Sequence, residues 1–324
     1  MRPFGWKKWH SLLLNFKKSG WTSLERWGLS YLHSKSALDE LAHSVAHSLR
    51  LIGKPSGVSV QSIWVDGTPQ IAGYSATGFP LKSELADLLF ILNETDQKGV
   101  SVRRTGLLLQ GKVGKRHNKL PSNPSTKKER QLLENLDRNR PLEVYRDMSA
   151  TKSSQIGTYT LGGSTHGLKD CSRYLMMPKT ASWYPFCPTI APLIIGWPPS
   201  KSSSELRSLV GFVEAIQRAV ILGTIGRQIQ DNVPSLKCEW SRLVWDLLGD
   251  YQPKTMIGYG SQARVNDSSN VLAFMTFLSE EQISGQLRLP PMKVTAAKLD
   301  FDRLPAISVL QVNVRSFDVN HRES

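Results

Sequence analysis

Cysteine is scarce. Cys171, Cys187 and Cys238 are the three cysteines in 324 residues, and no two of them form a CxxC pair. An odd, widely spaced set argues against a disulfide framework and a cysteine zinc site, and it fits a reducing compartment. Long apolar runs are missing too. No segment approaches the ~20 apolar residues of a membrane-spanning helix. The basic N-terminus, MRPFGWKKWHSLLLNFKKSGW, holds one short apolar run, Leu12 to Leu14, where a signal peptide needs a longer stretch and a small-residue cleavage site. These absences predict a cytoplasmic protein with no membrane partner. Acidic residues are in deficit: 27 Asp and Glu face 41 Lys and Arg, for a formal charge of +14. So basic a surface attracts polyanions, and nucleic acid is the commonest in a cell. A ribosome, an anionic membrane or an acidic partner would account for the charge equally well.

What is present is ordinary globular material. A hydrophobic fraction of 40% and a charged fraction of 21% give enough apolar surface for a real core. Residues 1–35 carry Trp6, Trp9, Trp21 and Trp27 among basic residues, with Glu25 as their one acid. They read as a helical extension whose tryptophans either pack on the body or meet a nucleic-acid backbone. Residues 36–52 form the clearest helix, with Leu38, Leu41, Val45, Leu49 and Ile52 on one face, Ser36 as N-cap and Gly53 with Pro55 as the stop. Strands are expected at 59–65, 86–92 and 106–113, with the polar loop 93–99 between the last two. A basic loop over 115–126 precedes a helix at 127–139. A short strand at 156–161 and an extended strand within 185–199 follow. Helices at 206–229 and 239–248 and strands at 271–279 and 307–317 complete the pattern. The stretch Lys201–Ser204 is the best boundary, dividing the chain into 1–35, a core of 36–200 and an α+β region of 201–324, with a single continuous domain as the alternative. The fold class is α/β, a central mixed β-sheet flanked by helices.

Two neighbouring segments carry chemistry. In SELADLLFIL (83–92), Asp87 opens a strand of five apolar residues; in TGLLLQGKVGK (105–115), Gln110 and Lys112 follow three leucines. Residues two apart in a strand point to the same face. Adjacent strands would therefore gather a carboxylate, an amide oxygen and an ammonium. A hard divalent ion takes oxygen ligands, which Asp87, Gln110 and the Gly111 carbonyl can supply. Such an ion acidifies a bound water for attack on a phosphodiester, and Lys112 would orient that water or stabilise developing charge.

The order acid, strand, loop, strand, then (Asp/Glu/Gln)-x-Lys resembles the PD-(D/E)xK nuclease superfamily, in the Q-x-K variant of Mrr-like restriction enzymes. The likeness covers roughly residues 36–150. It implies a restriction-endonuclease-like core using Mg²⁺ or Mn²⁺, with Asp87 and Gln110-Gly111-Lys112 as the site and Glu84 as an accessory acid. In several such nucleases a glutamate of the first helix joins the metal shell; Glu40 is the positional candidate, but it lies across the helix from the apolar face. The resemblance further implies an effector of bacterial restriction or anti-phage defence, with a protein partner or a homo-oligomer controlling activity. Gln110 in place of the commoner Glu removes a negative charge from the site.

The flank of the site is strongly basic. Residues 98–140 hold twelve Lys or Arg and three acids, Glu129, Glu134 and Asp137. Arg103, Arg104, Lys115, Arg116, Lys119, Lys127 and Lys128 are the candidate contacts to a phosphate backbone, DNA being favoured over RNA. Other patterns carry less. Gly106–Val113 fits GxxxxGK but lacks the Ser or Thr that would hold Mg²⁺. His43 and His47 are four apart on one helix without HExxH or a third ligand. His117 and His166 sit in loops without an identifiable partner. The sequence therefore supports a metal-dependent endonuclease, with a non-catalytic nucleic-acid-binding or scaffold subunit as the alternative.

Overall fold

Leu88 to Leu92 show no polar alternation, the pattern of a strand covered on both faces, and in the computed structural model they form a strand near the middle of a ten-stranded sheet. The structure describes residues 4–54, 56–65, 69–146, 150–183, 190–233, 236–249, 264–267, 271–273 and 305–316. In chain order these form α1 (Trp6–Ser19), α2 (Leu24–Leu32), α3 (Lys35–Leu51), β1 (Ser56–Trp64), β2 (Gln70–Tyr74), β3 (Pro80–Glu84), β4 (Leu88–Thr95) and β5 (Ser101–Gly114). Then come α4 (Pro124–Asn135), β6 (Leu142–Tyr145), β7 (Gln155–Tyr159), β8 (Ser172–Pro178), β9 (Ile194–Trp197), β10 (Arg207–Gly211) and α5 (Phe212–Leu222). The chain closes with β11 (Arg227–Gln228), α6 (Glu239–Gly249), β12 (Arg264–Asp267), β13 (Val271–Ala273) and β14 (Ser308–Ser316).

The large sheet runs β10-β9-β8-β5-β4-β14-β1-β12, with β11 on β5 and β13 on β1. It is mixed: β14–β4 and β5–β8 are parallel, and the other pairs are antiparallel. Alternation along each strand sorts its apolar residues into two layers. Leu88, Phe90, Leu92, Leu107, Leu109, Leu310 and Val312 pack with α1, α2, α3 and α5. Leu89, Ile91, Leu108, Tyr174 and Val309 face α4, α6 and a second sheet, β3-β2-β6-β7. The protein is α/β, with a large mixed central sheet flanked by helices.

Several expectations are resolved or changed. The segment 1–35 packs on the body, the first of its two expected readings: Trp9, Leu12, Leu13, Leu29 and Leu32 lie in the first core layer. Trp6 and Trp9 donate their indole N–H groups to the carbonyls of Ile190 and Thr180, at 2.9 and 3.3 Å. The N-cap of α3 is Ser34, whose side chain accepts from the Ala37 N–H, and not the expected Ser36 two residues later. The helix expected over 206–229 is split. Its first residues pair with β9 as the edge strand β10, bulged around Ser208, and the helix proper begins after Gly211 and stops at the left-handed Gly223. A free ladder edge outweighs helix propensity there, because pairing satisfies backbone groups that would otherwise stay open. The boundary at 201 does not separate two sheets either. Strand β14 lies between β4 and β1, so the last described segment completes the centre of the sheet begun by the first. Residues 184–189, with Cys187, and most of the strand expected at 271–279 lie outside the described residues.

Candidate active site

The site forms where β4 begins and β5 continues. Leu88 pairs with Leu109, and the Asp87 N–H still donates to the Leu109 carbonyl at 3.1 Å. Beyond that point β5 keeps β8 on its far side but has lost β4 on the near side. The Gly111 N–H, left without a strand partner there, donates to Asp87 Oδ2 at 2.7 Å. Gln110 Nε2 donates to the same oxygen at 2.6 Å. Gly111 matters for closeness: a Cβ at this position would stand 3.4 Å from Asp87 Oδ2 and 3.2 Å from Leu29 Cδ1. The expected residues Asp87, Gln110 and Gly111 thus meet, and the sheet's end brings them together.

Two acids that the sequence reading left out complete the cluster. From α4, Glu129 Oε2 lies 2.8 Å from Lys112 Nζ, and Ser125 Oγ donates to Glu129 Oε1 at 2.7 Å. From α2, on the opposite face of the sheet, Glu25 Oε2 stands 3.6 Å from the same ammonium. Lys112 is therefore aimed at Glu129 and Glu25 and forms no ion pair with Asp87. Gln110, Lys112 and Glu129 are almost fully buried, at 1%, 4% and 2% exposure, whereas Asp87, Glu84 and Glu25 remain partly open. A signal for Glu25 was present, as the single acid of a basic N-terminal segment. Glu129 had none, because only the packing of α4 on this face brings it to Lys112.

Glu40 has a different place. It pairs with Lys8 and accepts the Phe4 N–H at 3.4 Å, so it is covered by the N-terminus and stands outside the Asp87 cluster. Glu25, on α2, is the helical acid that reaches Lys112 instead.

Crowding of charge sets the protonation states. Burial pushes the Asp87 carboxyl well above the ordinary carboxylate range; Lys112 offsets part of this, while Glu25, Glu84 and Glu129 add to it. Glu25 is raised for the same reasons. Burial works against the Lys112 charge, but Glu25, Asp87 and Glu129 outweigh it and hold the ammonium protonated. Three carboxylates, Glu25, Asp87 and Glu129, act on the one Lys112 ammonium, an excess of acid that a bound cation would relieve.

A divalent metal fits the donor set in one respect. Gln110 Oε1 is buried with no hydrogen-bond partner, a lone acceptor beside the Asp87 carboxylate. Among the described residues no three His, Cys, Asp or Glu side chains are gathered as a metal site. The Gln110 amide oxygen and the Gly111 carbonyl would have to complete the shell with Asp87, an all-oxygen set suited to Mg²⁺ or Mn²⁺.

The basic candidates separate into two groups. Lys115, Arg116, Lys119, Lys127 and Lys128 are exposed and follow the site along the loop after β5 and the first turns of α4. Arg103 and Arg104 lie near the opposite end of β5 and are engaged elsewhere. Arg103 pairs with Glu94 and donates to the Ala219 and Val220 carbonyls at the end of α5. Arg104 pairs with Asp231 at 2.9 Å and stacks on Trp245. Neither contributes to a phosphate groove beside Asp87. His43 and His47 are exposed on α3, as their spacing indicated. Among the described residues no helix is long and apolar enough to cross a membrane. No protein-family model, no curated protein and no solved structure matches the chain.

Proposed function

We propose that the chain is a metal-dependent endonuclease with a restriction-endonuclease-like core, hydrolysing phosphodiester bonds of nucleic acid, with DNA favoured over RNA. One observation carries the reading: the unpartnered Gln110 amide oxygen and the Asp87 carboxylate stand side by side at a sheet end, with an exposed basic surface next to them. Asp87, Gln110 and the Gly111 carbonyl would hold Mg²⁺ or Mn²⁺. The bound ion would supply Lewis acidity and an acidified water. Gln110 Nε2 and the Gly111 N–H orient Asp87 by fixing Oδ2, which leaves Oδ1 outside both bonds. Lys112, kept charged by Glu129 and Glu25, would turn from Glu129 toward the bound phosphate to stabilise the negative charge that an in-line displacement builds. Lys115, Arg116, Lys119, Lys127 and Lys128 draw the phosphate backbone to the cluster. A role in restriction or anti-phage defence, controlled by a partner or by self-association, belongs to the same reading.

A second reading, a nucleic-acid-binding or scaffold subunit without catalysis, is favoured by the turn of Lys112 onto Glu129 and away from Asp87. Cleavage assays on plasmid, single-stranded DNA and RNA with Mg²⁺ or Mn²⁺ separate the two. Asp87→Ala and Lys112→Ala should each lower metal-dependent cleavage by at least about a hundredfold while nucleic-acid binding persists. Cleavage indifferent to both substitutions ends the site assignment. Binding without metal-dependent cleavage in the unaltered protein establishes the second reading.

A further inference from the structure

Four tryptophans stand in the first 35 residues, and the body of the protein uses three of them. Trp6, Trp9 and Trp27 donate their indole N–H groups to the carbonyls of Ile190, Thr180 and Leu12, the last at 3.1 Å. Trp21 makes no such bond to a described residue and is 38% exposed. Its ring is held all the same. The Trp21 and Trp27 centroids lie 5.4 Å apart in an edge-to-face contact, and Phe16 packs on Trp27 in turn, at 6.3 Å. An edge-to-face partner covers at most one face of a ring. Trp21 therefore offers a flat aromatic surface, fixed in the bend between α1 and α2 that the left-handed Gly20 opens.

The charge beside that ring is of one sign. Helix α1 contains no acid. Its exposed side presents Lys7, Leu14 and Lys18 in line at helical spacing, with Lys17 next to them. Glu25, the single acid of the first 35 residues, is turned to Lys112 and does not offset these lysines. One leucine and one tryptophan among lysines are too little apolar surface for a helix lying in a membrane. An aromatic face beside unopposed ammonium groups is what single-stranded nucleic acid uses: unpaired bases stack on the ring and phosphates meet the lysines, whereas a duplex keeps its bases to itself.

This surface adjoins the Asp87 cluster. Trp9 bonds to Thr180, just past the end of β8, and a Cβ on Gly28 would meet Met177 of the same strand. Leu29 comes within 3.2 Å of a Cβ built on Gly111. Helices α1 and α2 thus cover the end of β5 and β8 where the site forms, on the face of the sheet opposite α4. Trp21 precedes Glu25 by four residues, so their Cα atoms are at most ~14 Å apart, about four nucleotides at 3.4 Å each.

We propose that the α1–α2 face binds a single-stranded segment of nucleic acid, its backbone at Lys17 and Lys18 and an unpaired base stacked on Trp21. This rests on the nuclease reading for what lies beside it, and it narrows the substrate class to a strand that is unpaired within a few nucleotides of the cut.

The test is binding of the full chain, in EDTA so that no cleavage intervenes, to fluorescent oligothymidylate and oligouridylate of about 15 nucleotides and to a duplex of the same length. Both single strands should bind more tightly than the duplex, and a preference between them identifies DNA or RNA as the source of the strand. Trp21→Leu should weaken single-strand binding by roughly five- to a hundredfold with the salt slope unchanged, and Trp21→Phe, which keeps an aromatic face, should retain most of it. Lys17→Ala and Lys18→Ala, at exposed positions that folding does not need, should each flatten the salt dependence by about 0.7 in slope. Equal affinity for duplex and single strand, full binding by Trp21→Leu, or a salt slope indifferent to both lysines overturns the proposal. So does binding to phosphatidylserine vesicles that needs Trp21 in a protein that ignores both oligonucleotides. The two ideas fail separately. Single-strand binding that needs Trp21, in a protein that never cleaves, removes the nuclease reading alone; metal-dependent cleavage with binding indifferent to Trp21 removes this one alone.

Discussion

At the scale of single residues, the Asp87 cluster is a balance of charges in which each group depends on its neighbours. Gln110 occupies the place where a glutamate would add one more negative charge. Gln110→Glu should tighten metal binding, read as a lower Mg²⁺ or Mn²⁺ concentration for half-maximal activity or calorimetric saturation, because an anionic oxygen replaces a neutral one. An unchanged midpoint would mean that Gln110 Oε1 does not face the ion. Glu129 holds a different job, since it neutralises a lysine almost wholly removed from water. Glu129→Ala leaves that ammonium with Glu25 alone, at 3.6 Å, and should cost about 3 kcal/mol in a denaturant titration. The double replacement of Lys112 by Met and Glu129 by Leu should recover most of that stability, since apolar groups of similar size often substitute for a buried pair without loss. It should also abolish cleavage, which divides the structural use of Lys112 from the catalytic one.

At the scale of elements, α4 is the part that organises the site, because it delivers Glu129 from one side and the basic surface from the other. Its C-terminal end is locked by the loop before β8. The Gly167 and Leu168 N–H groups donate to the Leu136 and Leu133 carbonyls at 2.8 and 2.6 Å. Gly167 has φ +75, and a Cβ there would meet the Leu133 carbonyl oxygen at 2.5 Å. The obstacle is backbone and cannot rotate away. Gly167→Ala should therefore destabilise the protein by about 2–4 kcal/mol in thermal or chemical unfolding, and cleavage should fall along with the ordering of α4. A melting temperature equal to that of the unaltered protein would show that the loop can move aside. Helix α2 plays the matching part on the other face. Leu29 and Leu32 anchor it in the core, and this anchorage aims Glu25 at Lys112.

At the scale of the whole molecule, the sheet is sealed by its last described strand. β14 forms a long ladder with β1 on one side and with β4 on the other, and Val309, Leu310, Val312 and Val314 are buried. Removing residues 305–324 would expose two central strand edges and open both core layers. Such a protein should be recovered unfolded or aggregated, by circular dichroism and size exclusion, and not as a folded 36–200 domain. A folded, cooperative truncated protein would show that the two parts are independent after all.

How much of this was legible in the sequence follows from the range over which each signal acts. Apolar periodicity is local, so α3, the β4–β5 hairpin, α6 and the existence of a strand at 307–317 could be read directly, as could the pairing of Gln110 with Lys112 on one face and the place of Asp87 at a strand mouth. The absence of long apolar runs and the +14 charge were likewise properties of composition alone. Tertiary packing decided the rest. It chose which face of α4 turns inward and so brought Glu129 to Lys112; it took Glu25 from the N-terminal helices and set Glu40 aside. It paired residues 207–211 with an edge strand where a helix was expected, withdrew Arg103 and Arg104 into ion pairs far from Asp87, and slid β14 between β1 and β4. Each of these depends on contacts between separate elements, from 9 residues apart for Arg103 and Glu94 to more than two hundred for β14 and β1, for which no periodicity within one element carries a pattern.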